Sequence, residues 1–399
     1  MIEKSPTRQM SRKQIALAIV ALSIGGFAVG VTEFAIMGLQ REAVADLGIS
    51  IGEGGTLVAM YAIGVVVGAP VLSLMGAKRE RKQYALILLA LFIGAHIFSF
   101  FAPNYELMLL GRFLSGLPHG AYFATAALMA AQMAGPAKRA RAISVVLGGI
   151  SIANVAGVPL VTWIGQQFGW RWMYMIVALL AIITMVAVAT YAPRQQPPAG
   201  ATVRAEIAGL KNQRLWVGIV MGVIGFSGMF ALYAYISHVS VEVTGFPDER
   251  LPWVVFLFGF GGVIGNFVGG YLTDKSVLWT VLAAMVSVAV LMFCFATTAH
   301  LPIPMLIFLF LVGIAASTLG PSMQMHLIDT APDAPQLAAS FHHSAFNAAN
   351  ALGAIMGGIV IDAGWGLRAP TYVGAAAALL GAVICVYAIW LTRRTGAKI

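Results

Sequence analysis

Long apolar runs alternate with short polar segments along the whole chain, and this alternation predicts its architecture. An α-helix of about 20 apolar residues crosses the hydrocarbon core of a bilayer and satisfies its backbone hydrogen bonds without water. The pattern therefore predicts an all-α membrane protein with twelve transmembrane helices, with approximate spans at 14–38, 54–77, 83–102, 106–132, 141–165, 170–192, 214–238, 251–274, 278–298, 302–325, 337–362 and 370–392.

Composition excludes a water-soluble protein. Hydrophobic residues make up 60% of the 399-residue chain and charged residues only 10%, whereas soluble proteins carry about 25% charged residues. The first apolar run starts near Ile15 and continues past Met37. Because that run is longer than the core of a signal peptide, it predicts an uncleaved first helix.

The net charge of +9 is unevenly distributed between the two sides of the predicted helices. Of the 24 Lys and Arg residues, Arg112 lies within a helix, and those on the sparse side are Arg41, Arg171, Arg250 and Arg368. The others lie in the alternate loops and at the termini. Because basic loops stay in the cytoplasm, this asymmetry predicts cytoplasmic termini and a lipid bilayer, rather than nucleic acid, as the partner.

The chain divides almost in half at a polar, proline-containing segment, residues 193–213. This segment predicts a cytoplasmic linker between an N-terminal bundle of helices 1–6, residues 1–192, and a C-terminal bundle of helices 7–12, residues 214–399. Similar segments recur at nearly one spacing: Gly64–Gly68 matches Gly261–Gly265, and Ala153–Gly157 matches Ala349–Gly353. The repeat predicts two parallel six-helix halves.

Several segments resemble the drug/proton antiporter branch of the major facilitator superfamily, in particular bacterial sugar-efflux and arabinose-efflux-like members. The resemblance covers essentially the whole chain. The segments that carry it are Gly30–Leu39 (GVTEFAIMGL), Tyr61–Pro70 (YAIGVVVGAP), Gly111–Phe123 (GRFLSGLPHGAYF), Ala153–Pro159 (ANVAGVP) and Ser344–Asn347 (SAFN).

This resemblance implies a secondary transporter in the bacterial inner membrane, with protons as the coupling ion and helices 1, 4, 7 and 10 around a central cavity. It associates Gly157 and Pro159 with antiport, and proline also removes a backbone hydrogen bond and should kink helix five. The superfamily's loop motif after helix two is represented by Gly68, Lys78, Arg81 and Lys82, and in the second half by Asp274. The first copy departs from the motif, with Ala77 at its acidic position and Glu80 at its second glycine.

Glu33 and Arg112 are the charged residues that lie well inside predicted spans. An ionisable group inside the bilayer is a functional-site hypothesis by default. At 1.5 Å per residue, both lie roughly 8–9 Å from the same boundary, so they are predicted to be able to pair. A carboxylate placed between apolar surroundings and an arginine can take up and release a proton. The alternative is a static ion pair that joins helix one to helix four.

Polar and aromatic side chains recur at helical spacing on several predicted helices. Such a stripe on a membrane helix faces the bundle interior or a water-filled cavity rather than lipid. Each polar residue has an alternative role in an ordinary interhelical hydrogen bond, and His119 is either a proton-relay group or a packed histidine. His96 and His300 are assigned no role. The candidate cavity-lining residues are Phe34, His119, Tyr122, Phe123, Asn154, Tyr235, His238, His343, Asn347 and Asn350.

Motifs of enzymes, phosphate-binding loops and Cys/His metal clusters are missing from the sequence. Cys294 and Cys385 lie in apolar runs without ligand spacing. No catalytic residue, metal or cofactor is therefore predicted. The sequence favours a monomeric, proton-coupled exporter of a small drug-like or sugar-like solute. The alternatives are a facilitator or importer on the same fold and, less favoured, a receptor that does not transport.

Overall fold

A computed structural model describes residues 11–76, 79–135, 138–196, 212–331 and 335–394, and within these ranges every regular element is a helix. Longer α-helices are joined by short turns, one 3-10 turn and three π-helical turns. The α-helices are α1 Arg12–Gly38, α2 Gln40–Leu47, α3 Ile51–Gly76, α4 Arg81–Phe101, α5 Tyr105–Ala134, α6 Arg139–Ile152, α7 Val158–Phe168, α8 Trp172–Tyr191, α9 Gln213–Tyr233, α10 Ile236–His238, α11 Leu251–Thr273, α12 Val277–Thr298, α13 Pro302–Thr330, α14 Pro335–Val360 and α15 Ala369–Arg394.

Within the described ranges, 11 helical segments are long and apolar enough to cross a membrane. Twelve spans were predicted, and the one that does not meet this criterion corresponds to α5, a helix of 30 residues. It contains Glu106, Arg112 and His119 among many small residues, which lowers its hydropathy. The predicted all-helical membrane architecture is thus confirmed, with 11 candidate spans among the described residues.

Exposed aromatic side chains gather near the two ends of the bundle. Trp and Tyr are enriched at the interfaces between membrane and water, because their rings are apolar and carry one polar group. Trp172, Trp253 and Trp365 are exposed at one end. Tyr191, Trp216, Tyr271, Trp279 and Trp390 are exposed at the other. The two groups fit a protein that spans a bilayer.

Close helix contacts depend on glycine. In α3 and α5, a Cβ atom at Gly64 would collide with the Phe113 carbonyl oxygen, and one at Gly116 with the Tyr61 carbonyl oxygen. The contact between α11 and α13 has the same form, since a Cβ at Gly265 would collide with the Ile314 carbonyl oxygen. Small residues allow this approach in lipid, where the hydrophobic effect does not bring helices together.

Gly116→Val is expected to prevent close packing of α3 on α5, because the new side chain meets backbone that cannot move aside independently. Overpacking of this kind costs about 1–3 kcal/mol or more. Fluorescence-detected size exclusion should show loss of the monodisperse peak. The control is Gly94→Val on α4, where a Cβ would meet nothing within 4 Å; a normal peak from Gly116→Val would contradict the packing argument.

Three helices contain π-helical turns, at Ala153–Gly157, Val239–Val243 and Ile361–Trp365. The first separates α6 from α7 and ends two residues before Pro159. The sequence predicted a kink from Pro159; the structure shows a π-helical turn there, in which one extra residue is accommodated. The short helix α2 was not predicted, because its polar sequence is too short to span a membrane and reads as a loop.

Corresponding helices pack together in the same way in the first part of the chain, α1–α8, and in the second part, α9–α15. In the first, α1 packs on α6 and α8, α3 on α5, and α4 on α5 and α8. In the second, α9 packs on α14 and α15, α11 on α13, and α12 on α13 and α15. Contacts between the two parts are made chiefly by α3 with α14 and by α7 with α11.

Candidate functional site

Glu33 on α1 and Arg112 on α5 are buried in the first part of the chain. Glu33 is 2% exposed and Arg112 is 0% exposed. Among the described residues they form no ion pair, and Glu33 Oε1 has no hydrogen-bond partner. Both charged groups are therefore sealed from solvent in this conformation, without the direct contact that their matching depth suggested.

The Arg112 guanidinium is held by backbone and by an aromatic ring. Its Nε donates to the Leu57 carbonyl oxygen at 2.9 Å, and one terminal nitrogen donates to the Thr32 carbonyl oxygen at 3.2 Å. The guanidinium carbon lies 4.6 Å from the centre of the Tyr61 ring, a cation–π contact. Its other terminal nitrogen has no partner within the described residues. Arg112 is thus anchored beside Glu33 through the preceding residue, Thr32.

Thr32 connects this arginine to α4. The Nδ1 atom of His96 lies 2.7 Å from the Phe92 carbonyl oxygen, which accepts only, so Nδ1 carries hydrogen. In the neutral ring, Nε2 then accepts the Thr32 hydroxyl at 2.8 Å. The same hydroxyl oxygen lies 3.4 Å from the Arg112 nitrogen and accepts from it. His96, to which the sequence assigned no role, therefore positions the group that holds Arg112.

A chain of buried rings runs from this region toward the second part of the molecule. The Tyr61 hydroxyl lies 3.0 Å from His119 Nδ1. The His119 and Phe123 ring centres are 5.3 Å apart, and Phe123 stacks on His343 of α14 at 6.1 Å. Three predicted cavity residues are thereby brought together across the interface of α5 and α14.

Other predicted residues lie on the second part of the chain with few partners. Asn347 donates to the His343 carbonyl oxygen at 3.1 Å. Its Oδ1 and both amide atoms of Asn350 are buried without a partner among the residues described. Phe34 contacts Tyr233 edge-on at 6.3 Å across the interface. The remaining two are Tyr235, which donates to the Ala354 carbonyl oxygen at 2.5 Å, and His238, which is 2% exposed.

The remaining cavity and antiport candidates contact backbone of neighbouring helices. Tyr122 donates to the Leu22 carbonyl oxygen at 2.8 Å, within the first part of the chain. The Asn154 carbonyl oxygen lies against Gly259 of α11, at the interface. Gly157 packs against Val31 and Phe27 of α1, and Pro159 is the second residue of α7. Gly68 packs against the backbone of Leu117.

The loop after α3 packs within the first part of the chain. Arg81 donates to the Gln132 side chain at 3.1 Å, and Lys82 donates to the Ala189 carbonyl oxygen at 2.6 Å. Glu80 caps α4 and accepts the backbone N–H of Gln195 at 2.8 Å. Lys78 lies outside the described residues. Asp274 lies in the corresponding loop of the second part and is exposed directly after the end of α11.

A polar network missed by the sequence closes one end of the bundle, and we call it the latch. Arg41 on α2 forms ion pairs with Asp248 and with Glu242, the latter at 3.5 Å. Gln166 donates to the Asp248 carbonyl oxygen at 2.9 Å and lies 3.4 Å from Glu42. The contacts of Arg41, and that of Gln166 with Asp248, join the first part of the chain to the second. Burial raises the pKa of Glu42 above its usual value.

The other side of the latch joins the start of α3 to the end of α14. Asp362 accepts the Gly52 backbone N–H and the Ser50 hydroxyl, each at 3.2 Å. A carboxylate is favoured there, because the first N–H groups of a helix are unpaired and carry the positive end of its dipole. Nearby, the Arg171 guanidinium lowers the pKa of Asp46 through an ion pair within the first part of the chain.

The described residues include no group of three or more His, Cys, Asp or Glu side chains placed to hold a metal ion. Cys385 is buried and Cys294 is half-buried, and both are free thiols. What the site offers instead is one buried acid, one buried arginine and several neutral hydrogen-bonding groups around the interface.

The family model of the Major Facilitator Superfamily matches residues 22–252 and 249–398. The chain belongs to this superfamily. The Inner membrane transport protein YdhP of Escherichia coli K12 is 34% identical over 371 residues, covering 93% of this chain and 95% of that protein. Two others are the Putative transporter AraJ of the same strain, 30% identical over 91% of each chain, and the Probable sugar efflux transporter of Helicobacter pylori, 30% identical over 94% of this chain and 95% of that protein.

These similarities confirm the predicted resemblance to transporters of the sugar-efflux type. This chain is a multi-pass membrane transporter of the major facilitator superfamily and not an enzyme.

Proposed function

We propose that this transporter exports a small solute in exchange for protons, with Glu33 as the proton-carrying group and Arg112 as its partner. Two halves of six helices each, residues 1–192 and 214–399 joined by the linker 193–213, rock against one another to expose the site to each side in turn. In this scheme α5 also crosses the membrane and brings the number of spans to twelve. The protein acts as a monomer.

The burial of Glu33 carries the proposal. An ionised carboxylate without a partner is very costly in an apolar interior, and Glu33 is 2% exposed with Oε1 unpartnered among the described residues. The neutral, protonated acid therefore fits this conformation best. When the halves move and water enters, the proton can leave, and the guanidinium of Arg112 can stabilise the resulting anion.

Alternating access is supported by the packing. Helix contacts follow one scheme in both parts of the chain, and Gly169 and Gly364 both have positive φ where the matching helices end. The latch closes one end, and the three ion-pair contacts formed by the described residues all lie there. Since the basic loops favour cytoplasmic termini, we place the latch on the outer side of a bacterial inner membrane.

The substrate class follows from the relatives and the lining. Some relatives are named as sugar efflux transporters. The candidate residues combine apolar rings such as Phe34 and Phe123 with the buried amides of Asn347 and Asn350. A small neutral solute or a partly apolar drug suits such a lining.

An efflux-deficient bacterial strain tests the proposal. We expect expression of the wild-type chain to lower cellular accumulation of labelled lactose or of ethidium, and a protonophore to restore accumulation to that of the empty strain. Low accumulation that survives the protonophore would contradict proton coupling and favour a facilitator. Accumulation that expression does not change would contradict export of both probes.

A further inference from the structure

Two transmembrane helices change direction at facing positions directly beneath the latch. Helix α1 ends at Gly38, and α2 begins at Gln40 after the non-helical residue Leu39. Helix α9 ends at Tyr233, and the short helix α10 follows with Ser237 and His238. Helix α10 packs against both α1 and α2. The two breaks therefore lie close together.

Buried polar atoms without partners are concentrated in this region. Gln40 and Ser237 are 0% exposed and His238 is 2% exposed. Both amide atoms of Gln40, the Ser237 hydroxyl and His238 Nδ1 lack a hydrogen-bond partner among the described residues. Buried polar groups are nearly always paired, and an unpaired one costs free energy. Four such atoms lie on two adjoining segments, α2 and α10, and they are free to pair with a solute once the two parts of the chain move apart and make room for one.

The residues of the latch follow these residues closely in the sequence. Arg41, which follows Gln40, pairs with Glu242 and Asp248, which follow His238. The Gln40 amide lies beside Gly54, where a Cβ would come within 3.4 Å of Nε2. Tyr235, within the second break, already donates to the Ala354 carbonyl oxygen. The groups left free are thus an amide, a hydroxyl and an imidazole, and Glu33 lies one helical stretch deeper, about 10 Å along α1.

We propose that Gln40, Ser237 and His238 form an outer binding subsite for a neutral solute rich in hydroxyl groups, which becomes accessible when the latch opens. Each group is uncharged or able to be so, and together they donate and accept. A hydroxyl matches such a set in both roles. A site built to bond hydroxyls discriminates strongly against analogues that lack them, since its polar atoms are then left unpaired. An apolar cation would leave them unpaired.

The subsite rests on the proposed export function, in which it binds the solute between Glu33 and the outer side of the membrane. Binding to the purified full-length protein tests it without any gradient. The probes are the disaccharide lactose and the sugar alcohol D-mannitol, together called the polyols below, at low millimolar concentration. Ethidium is the apolar cation. We expect the two polyols, and not ethidium, to raise the unfolding temperature of the wild type.

Substitution separates a binding role from a packing role. Gln40→Met and Ser237→Ala remove unpaired atoms, so the empty variants should unfold at the wild-type temperature or higher while polyol affinity falls at least about tenfold. The matched control is Ser322→Ala, since Ser322 is equally buried but hydrogen-bonds Thr273 at 2.7 Å. It should unfold earlier and keep the polyol response.

Two results would overturn the subsite: a wild type that neither polyol stabilises, or a Ser237→Ala variant that unfolds as early as Ser322→Ala and still responds to polyols. The proposed function fails independently, by loss of protonophore-sensitive export in cells. Proton-driven export without polyol binding would refute the subsite alone, and polyol binding without export would refute the transport proposal alone.

Discussion

Glu33→Gln is expected to abolish proton-driven export while leaving downhill exchange of substrate intact. Glutamine keeps the size and hydrogen-bonding shape of the acid, but it cannot take up or release a proton. Because Glu33 is buried without an ion-pair partner in the described structure, the neutral amide avoids the cost of a buried charge. The variant should therefore fold as well as the wild type, and its defect should be one of coupling.

Proteoliposomes allow the two activities to be measured separately. Accumulation of labelled substrate against its gradient under an imposed pH difference should fall to the level of empty liposomes, whereas counterflow at equal pH should persist. The control is Glu106→Gln, the same substitution at an exposed acid at the start of α5, which should leave both activities unchanged. If Glu33→Gln still accumulated substrate uphill, Glu33 would be a structural residue.

Glu33 and Arg112 could be found from sequence because charge inside an apolar run is rare and costly, so each stands out against its neighbours. The groups that surround these two residues could not be found in this way. Arg112 is held by the carbonyl oxygens of Leu57 and Thr32, and every residue has a carbonyl group. His96 likewise reads as incidental until its ring is seen to bond Thr32.

The helices were predictable for the same physical reason, since lipid requires each spanning segment to be long, apolar and internally hydrogen-bonded. The breaks were not. Helix α2 and the π-helical turn at Ala153–Gly157 depend on how neighbouring helices pack, which no local periodicity records. These irregular segments lie where the two parts of the chain meet, so the least predictable backbone belongs to the candidate site.

The latch was missed because its partners are remote in the chain. Arg41 and Asp248 are 207 residues apart, and Gly52 and Asp362 are 310 apart. Each charge, taken alone, lies in a polar loop and looks solvated. Their pairing becomes visible only when the fold brings the loops together, and this pairing suggests that the latch must break for the site to open outward.

A reversible cross-link between Ser50→Cys and Asp362→Cys is expected to stop transport completely. The two native side chains are 3.2 Å apart across the interface, so a short, reducible bis-thiosulfonate can join their replacements in a background with Cys294→Ala and Cys385→Ala. Substrate flux in proteoliposomes should fall to that of empty liposomes after cross-linking and return after reduction, because the link holds α3 against α14.

The matched control is a link within one half, between Asp46→Cys and Arg171→Cys, whose native side chains also form an ion pair at this end. If the halves move as rigid bodies, this link joins residues that never separate, and flux should continue. Continued flux through the Ser50–Asp362 link would mean that α3 and α14 stay together throughout the cycle. Arrest by both links would mean instead that the first half itself deforms, so that α2 moves against the loop before α8 when the site opens.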